Sequence, residues 1–190
     1  MSLFTIVGAG VSRFGAKVRK EGQLETFSTV VNEFENVSAR DRLSFSWTIV
    51  PANFANGETL LLVQCDSDSL NLHIEEAEFE SDASSLIQIH LTDRADLTPA
   101  GGTLVTGVCW NQTAPKKAPA IARSNETANA QGNVIWNHEV IADTSKVVEL
   151  HGAVVLSKGQ SIGIDVTTGA AAIASCTILG FFAIPDEERV

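Results

Sequence analysis

The chain has 190 residues, 44% of them apolar, and a formal net charge of −10. That is enough apolar material for a packed core, and it excludes a chain disordered throughout. Asp and Glu are spread along the sequence, which excludes sequence-independent binding of nucleic acid, a task that needs clustered Lys and Arg.

Residues 1–40 differ from the remainder of the chain. Gly8, Gly10, Gly15 and Gly22 punctuate them, and Arg13, Lys17, Arg19 and Lys20 form an early basic cluster. Met1–Gly10 is apolar, but its positive residues come after it rather than before, so it does not read as a signal peptide. Thr5-Ile6-Val7-Gly8-Ala9-Gly10 has the look of a strand entering a dinucleotide-binding turn. Arg13 stands where the third small residue should be, and no helix of adequate length comes after it, so the segment reads instead as a glycine-rich arm. Its apolar residues hold no helical period, although Val30–Ala39 has room for one short helix.

From Leu43 onward, strand candidates recur with turn residues between them. They are Leu43–Val50, Thr59–Gln64, Leu70–Phe79, Ser85–Thr92, Thr103–Trp110 and Val134–Ile141. Three more close the chain, Val147–Leu156, Ser161–Thr168 and Ala174–Ile184, and read as a meander. Phe45, Trp47 and Ile49 alternate with Ser44, Ser46 and Thr48, and Ile162, Ile164 and Val166 alternate with Gly163, Asp165 and Thr167. Each is the pattern of a strand with one wet face. In Leu70–Phe79 the apolar phase changes between Ile74 and Ala77, which predicts a β-bulge near Glu75-Glu76. Asn53–Gly57, Asp66–Ser69 and Ser81–Ser84 are turn chemistry. Asn111–Gly132, with Pro115 and Pro119, reads as the longest loop. Val166–Pro185 is free of charge, but its Thr and Ser residues and Gly169 favour a buried hairpin over a membrane span.

The expected fold is therefore all-β: an antiparallel β-sandwich of the jelly-roll type over 43–190, preceded by an N-terminal extended arm or subdomain over 1–42.

No motif for catalysis, metal or cofactor stands out. Cys65, Cys109 and Cys176 are too widely spaced for a disulfide framework or a zinc site, and point to folding in a reducing compartment. His73 and His90 lie on neighbouring strand candidates and are placed to face each other. His73-Ile74-Glu75 nevertheless lacks the second His of a cupin-type site. Glu75, Glu76, Glu78, Glu80 and Asp82 read as a solvated strand face and turn rather than a pair set across a cleft. Asp66-Ser67-Asp68 lacks a twelve-residue calcium loop. Trp47 is expected in the core, while Trp110 and Trp136 are candidates for an aromatic sugar platform.

One resemblance covers most of the chain. The run Gly15-Ala16-Lys17-Val18-Arg19-Lys20-Glu21-Gly22-Gln23-Leu24-Glu25-Thr26-Phe27 resembles the opening of many tailed-bacteriophage virion proteins. There it leads into a strand-rich domain that begins with an aromatic–polar alternation, here Ser44-Phe45-Ser46-Trp47. Gly101-Gly102-Thr103-Leu104-Val105, Leu156–Ile164 and Ile178-Leu179-Gly180-Phe181-Phe182 are similar to segments of jelly-roll proteins in phage heads and fibres. The resemblance implies a non-enzymatic capsid decoration (cement) protein, made in the bacterial cytoplasm and placed on the virion surface, often as a homotrimer. Its partner would be the major capsid protein or another virion subunit, with no cofactor, nucleic acid or membrane involved. Phe14, Val18, Leu24 and Phe27 are the expected partner-binding anchors. The alternative is a carbohydrate- or receptor-binding fibre or tail module using Trp110, Trp136 and the Asn111–Gly132 loop.

Overall fold

In the computed structural model the chain is all-β. Residues 3–7, 12–18, 24–30, 43–54, 59–92, 101–113, 115–126, 132–167 and 172–185 are described, and they contain no helix. The strands are β1 (Leu3–Val7), β2 (Ser12–Val18), β3 (Leu24–Val30), β4 (Ser44–Phe54), β5 (Thr59–Cys65), β6 (Asn71–Ser81) and β7 (Ser85–Thr92). Then come β8 (Thr103–Val105), β9 (Val108–Cys109), β10 (Ala120–Glu126), β11 (Asn133–Val140), β12 (Thr144–Leu156), β13 (Ser161–Thr167) and β14 (Ala172–Ala183).

Two antiparallel sheets form a sandwich. One runs β12-β6-β14-β4-β9 and the other β11-β7-β13-β5-β10-β8. From β4 to β7, and again from β11 to β14, successive strands alternate between the sheets, and the first and last, β4 and β14, are neighbours. This order is consistent with a jelly roll. The alternation read from sequence drives it. Phe45, Trp47 and Ile49 on β4, Ile74, Ala77 and Phe79 on β6, and Cys176, Ile178 and Phe182 on β14 are buried. They meet Leu61 and Val63 of β5, Ile87 and Ile89 of β7, and Ile162, Ile164 and Val166 of β13 in one core. Cys65, Cys109 and Cys176 are free thiols buried within strands. Burial pushes the Cys65 and Cys176 thiols above their ordinary range, which keeps them protonated and unreactive.

The bulge in β6 is present. Leu179 of β14 faces Glu76, the next residue, Gly180, faces Ile74, and Glu75 is the extra residue. That one insertion lets Leu72 and Ile74 on one side of it, and Ala77 and Phe79 on the other, all enter the core. A second bulge answers the turn expected from Asn53. Ala174 and Cys176 of β14 pair with Ala52 and Ile49, so Val50 and Pro51 together oppose Ser175. Pro51 has no N–H to give a ladder, and a bulge is where a strand tolerates it, so β4 continues to Phe54.

Four other expectations are corrected. The closing strands are not a meander. β13 lies between β5 and β7 in one sheet, while β12 and β14 belong to the other, so Val166–Pro185 contains no hairpin. Each of these strands has an apolar side, and crossing between sheets buries both sides of the gap at once. The Asn111–Gly132 loop contains β10, which pairs with β5 and β8. The residues it and its approach turn towards the core are Ala118, Ala120 and Ala122, too small to give a visible hydrophobic alternation. Thr103–Trp110 is two short strands in different sheets, broken at Thr106-Gly107. A Cβ at Gly107 would stand 2.6 Å from Trp47 Nε1, so the backbone there lies directly against the core indole. Finally, His73 and His90 lie in different sheets and do not face each other.

The N-terminal segment is more than an extended arm. β1, β2 and β3 form their own three-stranded antiparallel sheet. β1 runs antiparallel to the next strand, so no parallel β-α-β unit stands at the glycine-rich turn and the dinucleotide reading fails. Val30 ends β3, and the rest of the expected helix Val30–Ala39 lies outside the described residues.

Among the described residues, no helix is long and apolar enough to cross a membrane.

Candidate functional site

A buried polar layer on the outer face of the six-stranded sheet carries the densest chemistry in the sandwich. On β13, Ile162, Ile164 and Val166 face the core, so Gly163 and Asp165 face away from it. The sequence reads that second face as wet, yet Asp165 is 1% exposed. His90 of β7 is opposite Gly163 and is fully buried. Thr92, Ser161, Gln64 and Leu62 are buried on the same face.

A bulge in β5 brings Thr59 to this face. Ile164 pairs with Leu61, but Asp165 pairs with Thr59, so Leu60 is the extra residue. Without it Thr59 would share the core-facing side of Leu61. With it, Thr59 Oγ1 donates to Asp165 Oδ1 at 2.6 Å. The other carboxylate oxygen, Oδ2, is 3.0 Å from His90 Nε2. That approach is close but is not aligned as a directional hydrogen bond, because Nε2 has no geometrically sound acceptor. The Gly132 N–H points to His90 Nδ1 at 3.5 Å. Nearby, Gln64 Nε2 donates to the Gly159 carbonyl at 2.9 Å.

The arrangement ties three strands together through side chains. Thr59, Asp165 and His90 belong to β5, β13 and β7, which are neighbours. An Nδ1 that accepts from Gly132 goes with a proton on Nε2, on the side of Asp165. In a nucleophilic triad the nitrogen away from the carboxylate takes a proton from a hydroxyl or thiol. Here that nitrogen meets a backbone N–H, and the hydroxyl of Thr59 is spent on the carboxylate itself. The chemistry this geometry supports is structural: a buried acid held by two partners.

Gly163 is part of the same device. A Cβ there would stand 2.4 Å from His90 Nε2 and 2.5 Å from its Cε1. Gly163→Ala is expected to cost about 1–3 kcal/mol, because the ring has no free space to withdraw into. Urea unfolding measures this, and an unchanged midpoint would show that the ring is not held over the strand.

The other candidate residues are dispersed over the sandwich. Asp68 pairs with Lys158 Nζ at 2.5 Å, so Asp66-Ser67-Asp68 is a turn tied to the Ser157–Gln160 turn. His73 stacks on Phe181 with centroids 4.9 Å apart and planes 7° from parallel. Beside it, β12 departs from regular pairing between Glu149 and Val154, with His151 and Gly152 in the left-handed region. Glu76, Glu78 and Glu80 lie on the outer side of the five-stranded sheet, with Glu149 opposite Glu76. Partial burial, then the charges of Glu78, Glu149 and Glu75, raise the Glu76 carboxyl above its ordinary range. Among the described residues no group of three or more His, Cys, Asp or Glu is placed to hold a metal ion.

Of the expected partner-binding residues, Phe14 and Val18 lie on β2, and Leu24 and Phe27 on β3. Val18 is opposite Leu24 and Phe14 opposite Ser28, whereas Phe27 is opposite Gly15, at the alternate parity of the ladder. Trp47 is in the core, as expected. Trp136 is half-buried against Phe79, with ring centroids 5.4 Å apart, while Trp110 is 52% exposed beyond β9. The two indoles therefore do not form one platform: β11 and β9 are at opposite ends of different sheets.

Sequence reasoning missed the Thr59–Asp165–His90 network. Asp165 among alternating isoleucines was visible, but the register that sets Thr59 and His90 beside it was not.

The chain matches no protein-family model, and no curated protein or solved structure matches it.

Proposed function

We propose that this chain is a non-enzymatic structural protein of a tailed-phage particle, binding and stabilising the capsid exterior as a decoration protein. The observation that carries the reading is the division of the strands. β1–β3 pair only with one another among the described residues, beside a sandwich that has its own core. Three short strands are close to the smallest sheet that is stable by itself, so such a sheet gains from a surface to pack on. A neighbouring capsid subunit is that surface in this reading. Phe14, Val18 and Leu24, which share one parity of the ladder, are the anchors, each contributing roughly 1.5–3 kcal/mol when buried, and Phe27, at the other parity, does not join them. Repetition over many sites on a shell multiplies the effect through effective concentration. The loose resemblance of Gly15–Phe27 and of the later strand segments to virion proteins supplies the context.

Deleting residues 1–42 is expected to abolish co-sedimentation with purified particles. The thermal unfolding of the sandwich should persist, because its described core residues all lie beyond that segment. Undiminished co-sedimentation of the deletion variant would overturn the mechanism.

Exposed Trp110 favours a second reading, a carbohydrate- or receptor-binding module of a fibre or tail. A glycan array separates the two: reproducible binding lost in Trp110→Ala supports the second reading, and an array without hits counts against it.

A further inference from the structure

The sandwich has two lateral edges, and they differ in kind. At one, β8 and β9 end the two sheets, and Leu104, Val108 and Trp110 are 64%, 56% and 52% exposed. At the other, β11 and β12 end the same two sheets, and Val134, Ile135, Val147 and Val155 are exposed, with Ile141 between the strands at 70%. Large apolar side chains gathered at both ends mark contact surfaces. β12 is also a long edge strand with a single Lys, Lys146, as protection against pairing.

Charge divides the same way. Residues 97–125 contain Lys116, Lys117 and Arg123 and no Asp or Glu, in a chain of net charge −10. Lys116 and Lys117 are exposed in the segment that joins β9 to β10, the strand next to β8. The β11–β12 edge carries exposed Glu139, Asp143 and Glu149 against one Lys, Lys146.

We propose that these edges are complementary halves of one contact between copies of this chain. The β8–β9 edge of one copy, with Lys116 and Lys117, seats on the β11–β12 edge of the next. A twofold contact would set like edges together, and each has a charge that opposes this. Unlike edges bring apolar against apolar and cation against carboxylate. Such a contact is heterologous, so it closes into a ring or extends as a chain of copies. The inference goes beyond the particle role and does not depend on it.

Sedimentation velocity of the full chain tests it. The expected result is an integer multiple of the 20.2 kDa chain, weakened by added salt. Val108→Glu damages one edge and Val147→Glu the other, and each variant alone is expected to sediment as a monomer with an unchanged circular dichroism spectrum. Mixed in equal amounts they are expected to form a dimer, because one copy keeps each edge intact. If either variant fails to fold, Lys117→Glu replaces Val108→Glu and Glu149→Lys replaces Val147→Glu. A monomeric parent chain, an oligomer that survives both substitutions, or a mixture that stays monomeric would each overturn the proposal. Loss of particle binding on deletion of residues 1–42 with the oligomer retained would leave it standing.

Discussion

Asp165→Ala is expected to destabilise the sandwich by about 3–5 kcal/mol, because it leaves a buried histidine and a buried threonine hydroxyl without their shared partner. Asp165 and His90 are 1% and 0% exposed, so neither water nor salt takes the carboxylate's place. Thr59 loses an acceptor at 2.6 Å in the same step. The cost is that of stranding partners rather than the net worth of the pair, and this distinguishes it from simple loss of packing. Asp165→Leu combined with His90→Leu removes the charge and its partner together. It is expected to be less destabilising than the sum of the single changes by more than about 1 kcal/mol. Urea unfolding of the four proteins closes the cycle. Additive costs would mean that the two side chains are near each other without acting on each other.

Trp47→Ala is expected to cost about 3–5 kcal/mol. Trp47 is fully buried, with its ring centroid 6.1 Å from that of Phe45. Phe45 in turn makes an edge-on contact with Phe182 at 5.8 Å. Removing the indole leaves a cavity between β4, Gly107 and Ala118, whose backbone and methyl groups close on it from the β8–β9 side. Trp47→Phe is expected to cost under about 1.5 kcal/mol. The buried Nε1 has no hydrogen-bond partner, so the phenyl ring removes an unpaired donor along with some volume. The comparison is direct: chemical denaturation of the two variants should place them at least about 1.5 kcal/mol apart, by the same difference of magnitudes. Equal costs would mean that the indole N–H is paired and that its loss dominates.

Much of the fold was legible because burial on one side forces period-two alternation. Phe45, Trp47 and Ile49 announce both a strand and the side it buries. The phase change between Ile74 and Ala77 placed a bulge near Glu75-Glu76, since only an insertion keeps both halves of β6 in one core, and Glu75 is the extra residue. Pairing was less legible. Val147–Leu156, Ser161–Thr167 and Ala172–Ala183 are consecutive in sequence but not in any sheet, because strand neighbours are chosen by the whole core and not by the turn. β10 was hidden because alanines fill its core positions. The polar layer was hidden for a related reason. Asp165 and His90 look like solvent-facing residues in a pattern, and only tertiary burial converts them into a network. The lone bulge residue Leu60, which turns Thr59 towards Asp165, has no counterpart in local sequence.

The division of labour between sheets comes from these placements. The core holds the sandwich, the buried acid ties its central strands, and most of the exposed large apolar residues lie at its edges, Leu86, Ile173 and Ile184 apart. For the proposed decoration role, the most direct measurement is quantitative mass spectrometry of phage particles purified from a culture that expresses this chain. A decoration role predicts the protein in a fixed ratio to the major shell protein, released by treatments that leave the shell intact. Its absence from purified particles, with abundant protein free in the infected cell, would contradict that role.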